Sequence, residues 1–187
     1  MPARCVASFR GSILTEHRYL YRFEDAADAV DWQPVDDVVM GGVSSSELAL
    51  GPQQTGIFSG VLSLAHGGGF ASVRTRPRSV DLSAYEGLEI RVRGDGKRYQ
   101  LRLRTHPGFD GVAYQVAFDA EQGTWHTLRF PFDAFSPTFR GRTVPNAPAL
   151  DASQIHSFGF LIGDKQAGPF RLEIDWLRAY GPAADRG

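Results

Sequence analysis

Glycine and proline cut this chain into short pieces, and the pieces alternate. With 21 glycines and 11 prolines in 187 residues, few stretches are long enough for a helix of ordinary length. Between the breaks, apolar residues recur at every second position, the spacing of a half-buried strand. In residues 88–93, Leu88, Ile90 and Val92 share one side, and Glu89, Arg91 and Arg93 share the other. Gly94-Asp95-Gly96-Lys97 follows and reads as a turn, because glycine tolerates positive φ. Residues 99–104 repeat the alternation, so 88–104 predicts a hairpin.

The same pattern predicts strands at 113–118, 124–130 and 170–176, with weaker ones at 60–64 and 70–74. Pro131 should end the 124–130 strand or place it at a sheet edge, since proline has no N–H for a central ladder. Residues 157–162, Ser-Phe-Gly-Phe-Leu-Ile, are nearly all apolar and predict a central strand covered on both faces. Residues 24–30 are the one helical candidate, with acids in the first turn. The proline-rich stretch 133–155 reads as a long loop. Short strands at this spacing predict an all-β sandwich or barrel.

Composition narrows the class. Hydrophobic residues make up 42% and charged residues 22%, values that argue for a folded core over disorder. The 20 basic and 21 acidic residues leave a net charge of −1, which argues against a general nucleic-acid or anionic-membrane binder. The single cysteine, Cys5, rules out an intrachain disulfide and a Cys-rich zinc site. No apolar run approaches the ~20 residues of a membrane span, and the first residues lack the apolar stretch of a secretory signal.

Chemistry-bearing motifs are few. His66-Gly67-Gly68-Gly69 resembles the oxyanion loop of some lipases, but the G-x-S-x-G elbow that should accompany it is absent. A close-packed glycine bend fits better. The five histidines form no close ligand pair, so no metal, cofactor or catalytic residue is expected. Asp36 and Asp37 are adjacent and point apart in an extended segment. They read as solvated loop acids, with calcium-binding oxygens as the alternative. Arg91, Arg93, Arg102 and Arg104 should project from one face of the expected hairpin, with Gln115 joining from the next strand. Glu173 and Asp175 are placed to supply opposite charges. Such a face is either a solvated ladder of ion pairs or a platform for a sugar, a carboxylate-bearing ligand or a partner protein.

At 32–46 the chain reads Trp-Gln-Pro-Val-Asp-Asp-Val-Val-Met-Gly-Gly-Val-Ser-Ser-Ser. Gly41-Gly42 opens backbone conformations closed to other residues, and the serines after it can bond backbone groups. This string resembles the signature of the complex I intermediate-associated protein 30 family. Further matching motifs are Phe58-Ser-Gly-Val-Leu-Ser63, Gly67-Gly-Gly-Phe-Ala-Ser72 with Arg74, and Asp81-Leu-Ser-Ala-Tyr-Glu-Gly-Leu88. Phe158-Gly-Phe160 and Asp164-Lys-Gln166 follow.

The resemblance implies one galactose-binding-like jelly-roll β-sandwich over 21–180; the residues themselves add one short N-terminal helix, an extension at 1–20 and a frayed tail at 181–187. It implies a non-enzymatic, chaperone-like role in assembling respiratory complex I, with complex I subunits or assembly intermediates as partners. No nucleic acid and no membrane span are expected. The expected location is the cytoplasm of a bacterium, at the inner membrane only through partners, or the mitochondrion of a eukaryote. Candidate binding residues are Asp36, Asp37, Met40, Gly41, Gly42 and Ser44 on the signature loop, and Arg91, Arg93, Arg102, Arg104 and Gln115 on the strands. A carbohydrate-binding module that holds a sugar on a concave sheet or in end loops is the alternative.

Overall fold

The computed structural model describes residues 15–108 and 110–183. Cys5 lies outside them. Two antiparallel sheets pack face to face. The first runs in the order β3 (Ser45–Leu50), β4 (Gly56–Leu62), β13 (Gly168–Ala183), β6 (Gly87–Arg93) and β9 (Trp125–Pro131). β1 (Thr15–Tyr21) also pairs with β13. The second sheet runs β11 (Arg142–Thr143), β10 (Ser136–Phe139), β8 (Ala113–Asp119), β7 (Arg98–Arg104), β12 (Ser157–Ile162), β5 (Ala71–Thr75) and β2 (Trp32–Pro34). The helix α1 (Ala26–Val30) is one short turn capped by Asp25, whose carboxylate accepts from the Ala27 N–H at 2.8 Å.

Alternation places the core as expected. Leu88, Ile90 and Val92 from β6 and Tyr99, Leu101 and Leu103 from β7 are all fully buried. Each such side chain contributes roughly 1.5–3 kcal/mol by leaving water. Aromatic rings fill the space between the sheets, with Phe58 and Phe170 at 4.9 Å and Trp32 and Phe160 at 5.4 Å between centroids. β12 is buried along its whole length between β7 and β5. β9 is an edge strand that ends at Pro131.

The hairpin expected at 88–104 does not form. β6 pairs with β13 and β9, whereas β7 pairs with β8 and β12. The turn at Gly94–Lys97 therefore crosses from one sheet to the other. Alternation shows which side of a strand faces the core; it does not show which strand lies alongside. The crossing is tight, since a Cβ on Gly94 would sit 2.3 Å from the Ala120 Cβ. Asp95 anchors it by accepting from the Tyr99 hydroxyl at 2.9 Å and the Arg171 N–H at 2.8 Å. As a result, Arg91 and Arg93 lie on the outer face of the first sheet, and Arg102 and Arg104 lie on the outer face of the second.

Three further differences concern extent. The expected loop at 133–155 contains β10 and β11, which extend the second sheet beyond β8. The stretch expected as an extension ends in β1, and β13 continues to Ala183, into the expected tail. β13 is long enough for β4 and β1 to pair end to end along one of its edges while β6 takes the other.

Candidate functional site

The signature loop is an internal staple. Asp37 is fully buried. Its carboxylate accepts from the Ser44 N–H at 3.0 Å, the Ser44 hydroxyl at 2.7 Å, the Gly69 N–H at 2.7 Å and the Phe70 N–H at 3.4 Å. Burial alone would raise its pKa, but these donors outweigh burial and hold it below the usual carboxylate range. Asp36 points the other way. It accepts from the Ser46 N–H at 2.9 Å, the Ser46 hydroxyl at 2.6 Å and the Ser72 N–H at 2.9 Å. The reading as solvated acids is therefore overturned for Asp37, which is sealed from water, while Asp36 is half-buried. Both carboxylates are engaged by hydrogen donors from the same chain.

The glycines follow from this packing. A Cβ on Gly42 would lie 2.3 Å from the Asp37 Cγ, and one on Gly68 would lie 2.5 Å from Asp37 Oδ2. Gly41 takes a left-handed φ of +87° to close the 3-10 turn Asp37–Met40. The glycine bend at 67–69 wraps a carboxylate from the same chain. On the solvent side of the loop, Val38, Met40 and Val43 are all more than half exposed.

The arginines divide into two sites of different character. On the first sheet, Arg91 pairs with Asp175, and Arg93 pairs with Glu173 at 2.6 Å. The opposite charges expected from β13 are thus in place. Both guanidinium groups lie near the Trp125 ring, at 5.1 and 4.8 Å from its centroid. This face is a partly exposed ion-pair ladder. Arg91→Ala is expected to cost under about 1 kcal/mol in urea denaturation, with the loss shrinking further in high salt.

On the second sheet the outer face forms a groove of about 630 Å³. Strand register builds its floor. Gly159 sits between Arg74 on β5 and Arg102 on β7, and Arg102 faces Gln115 on β8. Ser157 stands beside Arg104. Met40 brings the signature loop to the groove wall. The joining of Gln115 to Arg102 and Arg104 agrees with expectation. Arg74, part of the family motif, joins them from β5, and its neighbours depend on strand order.

Arg102 and Arg104 lie among like charges. Burial and the neighbouring Arg74 depress the Arg102 pKa. Burial, Arg74 and Arg102 push Arg104 down to about 10, against a weaker opposing pull from Asp110. Arg104 donates to the Gly111 carbonyl at 3.1 Å. The Arg102 Nε is buried with no hydrogen-bond partner. Asp110 is engaged by Arg140 at 2.8 Å on the rim.

Comparison with known proteins gives this architecture a family. In solved structures the fold is similar to a family 11 carbohydrate-binding module from Clostridium thermocellum. The TM-score is 0.67 at 16% identity, over 89% of this chain and 96% of that one. A second structure of a family 11 module, from a cellulosomal cellulase of the same organism, has a TM-score of 0.68 at 16% identity over 93% and 99%. These likenesses identify a galactose-binding-like β-sandwich. In sequence, the chain is 29% identical to the mitochondrial complex I intermediate-associated protein 30 of Drosophila melanogaster, over 81% of this chain and 59% of that protein. The Mus musculus protein of the same name is 27% identical over 90% and 57%. An uncharacterized Schizosaccharomyces pombe protein is 30% identical over 80% and 77%. The chain thus spans less than two thirds of the two animal relatives. The model of the complex I intermediate-associated protein 30 family matches residues 21–174, and the chain belongs to that family.

Proposed function

We propose that this domain is a non-enzymatic, protein-binding assembly factor that assists the assembly of respiratory complex I. The observation that carries the reading is where the family motif lies. The signature loop, held in place by Asp36 and Asp37, delivers Met40 to the wall of the arginine-floored groove. The loop that resembles the family signature and the candidate binding surface are therefore one structure. No helix among the described residues is long and apolar enough to cross a membrane, and in this reading the domain reaches a membrane complex through its partners. The sugar-binding alternative rests on the fold. The groove lining is dominated by polar and charged side chains, among them Arg74, Gln100, Arg102, Arg104 and Gln115, with Phe70 as the aromatic at its edge.

The test is copurification of a tagged chain from its native host in mild detergent, with mass spectrometry of the partners. Enrichment of NADH dehydrogenase subunits or their assembly intermediates is the expected result. It should be matched by loss of assembled complex I on native gels after deletion. Isolation of the protein alone, with complex I intact in the deletion strain, would overturn the reading.

A further inference from the structure

The first sheet carries a cavity of its own, at a break in its hydrogen-bonded ladder. Along one edge of β13, pairing with β4 ends where Gly56 meets Ile174, and pairing with β1 begins where Tyr21 meets Leu177. Asp175 and Trp176 fall in the gap between the two partners. On the other edge of β13, the register with β6 shifts between Ile174 and Trp176, a bulge that inserts Asp175. A bulge breaks the alternation of sides. Ile174 and Leu177 are therefore both fully buried, while Asp175 and Trp176 between them both line a cleft of about 250 Å³.

The two segments that flank the gap are bent to frame it. Phe23 and Gln54 both take left-handed backbone, at φ +57° and +54°, a conformation uncommon outside glycine and exceptional for a bulky ring. Phe23 is fully buried, and its ring lies against Gly56, where a Cβ would come within 2.7 Å of it. With Phe23 turned inward, its neighbours Arg22 and Glu24 line the cleft. The Gln54 amide donates to the Glu24 carbonyl at 3.5 Å and ties the turn at 51–55 to the opposite flank. Backbone outliers of this kind cluster where a fold holds a ligand.

The charges in the cleft cancel. Arg91 binds Asp175 through Oδ2, and Arg22 donates to Glu24 Oε1 at 3.3 Å. An ion gains little there. What the cleft offers is hydrogen bonding: the second oxygen of each carboxylate, the amide oxygen of Gln54, and the amide of the exposed Gln53. Hydroxyl groups match this set, because each one both donates and accepts. The remaining wall is aromatic. Tyr19 and Trp176 meet edge to face at 6.0 Å, and Arg22 and Arg178 steady them by lying over the rings at 4.0 and 4.1 Å. A fixed apolar wall beside fixed acceptors suits a ring with hydroxyls at its rim and C–H groups on its face. The volume falls below the ~300 Å³ at which pockets for larger ligands begin, so the cleft takes one ring and not a chain of them.

We propose that this cleft binds a single neutral pyranose ring, with hydroxyls on Asp175, Glu24 and Gln53 and a C–H surface against Trp176. The site lies on the first sheet, apart from the groove, and adds a function to the assembly role without depending on it.

The probes are the methyl glycosides of glucose, galactose, mannose and N-acetylglucosamine, each titrated into the isotope-labelled chain and followed by NMR. At least one is expected to shift the Trp176 indole and Gln53 side-chain amide signals saturably at low-millimolar concentration, with no weakening as salt rises. Gln53→Ala and Asp175→Asn should each weaken that binding about threefold to tenfold, the factor equivalent to one hydrogen bond. Gln53→Ala removes an exposed side chain and should melt with the parent, which separates lost recognition from lost folding. Glu47→Gln, on β3 outside the cleft, should bind as the parent does. No saturable shift from any of the four at tens of millimolar would overturn the proposal, as would unchanged binding by both Gln53→Ala and Asp175→Asn. An equal response to glycerol would reduce the cleft to a site for an adventitious additive only. Saturation by tetramethylammonium with no response to any glycoside would assign it to a cation and overturn the proposal as well. Gln53→Ala should recover the same host partners as the parent, so the sugar site and the assembly role fail separately. Loss of those partners would put the cleft in the protein interface and overturn the sugar assignment.

Discussion

An Asp37→Asn chain is expected to lose about 3 kcal/mol of folding stability, and with it roughly 6–12 °C of melting temperature for a domain of this size. The substitution keeps the shape and removes the charge. Oδ2 takes three of the four donors, from the Ser44 hydroxyl, the Gly69 N–H and the Phe70 N–H. The amide oxygen would take that place. The amide NH₂ would then occupy the Oδ1 position and meet the Ser44 N–H, donor against donor. One buried N–H loses its acceptor, and the remaining bonds lose their charge assistance. The pH dependence has a definite sign. A carboxylate held below its ordinary pKa contributes stability that is complete above about pH 4 and drains away as pH falls through the folded-state value. The asparagine chain should lack that share of acid sensitivity. Chemical denaturation at pH 7 and at stepped acid pH measures both effects. A loss under about 0.5 kcal/mol would mean that the staple is replaceable by water or by backbone rearrangement.

The period-two pattern made strand existence legible, because burial on one side leaves its mark on every second residue. β6, β7, β8, β9 and β13 are all visible that way, and β12 shows instead as an unbroken apolar run. β1, β2 and β3 are not. β3 presents a burial pattern with little inward apolar content, and β2 is three residues long. Strand neighbourhood leaves no such mark. The turn at Gly94–Lys97 looks the same whether it closes a hairpin or crosses between sheets, since both place Leu88, Ile90, Val92, Tyr99, Leu101 and Leu103 in one core.

That one ambiguity decided the site. Arg102, Arg104 and Gln115 do form a cluster, because β7 and β8 are true neighbours. Arg91 and Arg93 belong to a different surface. Arg74 enters the cluster only because β12 brings β5 alongside, through pairings from distant parts of the chain. The signature loop shows the reverse case. Its residues were legible as a motif, yet the reason for them was hidden. Nothing in a pair of adjacent aspartates says that one will be sealed under Gly42 and Gly68. The glycines and serines around them were the available sign, since small residues and hydroxyl donors are what a buried carboxylate requires.

Glu89→Ala is expected to cost about 3 kcal/mol, several times the effect of Arg91→Ala, although both residues point outward from β6. The difference comes from position in the ladder. Arg178 on β13 and Arg129 on β9 stand opposite Glu89 on its two sides. Arg178 Nε donates to one oxygen at 2.8 Å, and Arg129 Nε donates to the other at 2.7 Å. The two arginines also lie over the Trp176 and Tyr180 rings, at 4.1 and 4.3 Å. Together they cover the carboxylate until 3% of Glu89 remains exposed. Burial alone would raise its pKa, but the paired guanidinium groups prevail and hold it low. Removing it leaves two cations facing each other across the gap. Arg178 cannot readily regain water, whereas Arg129 is half exposed and can, which keeps the loss at the low end for a buried charge pair. A double-mutant cycle of Glu89→Ala with Arg178→Met separates the pair energy from packing. Coupling near zero would mean that solvent screens this ladder as it does the Arg91–Asp175 pair.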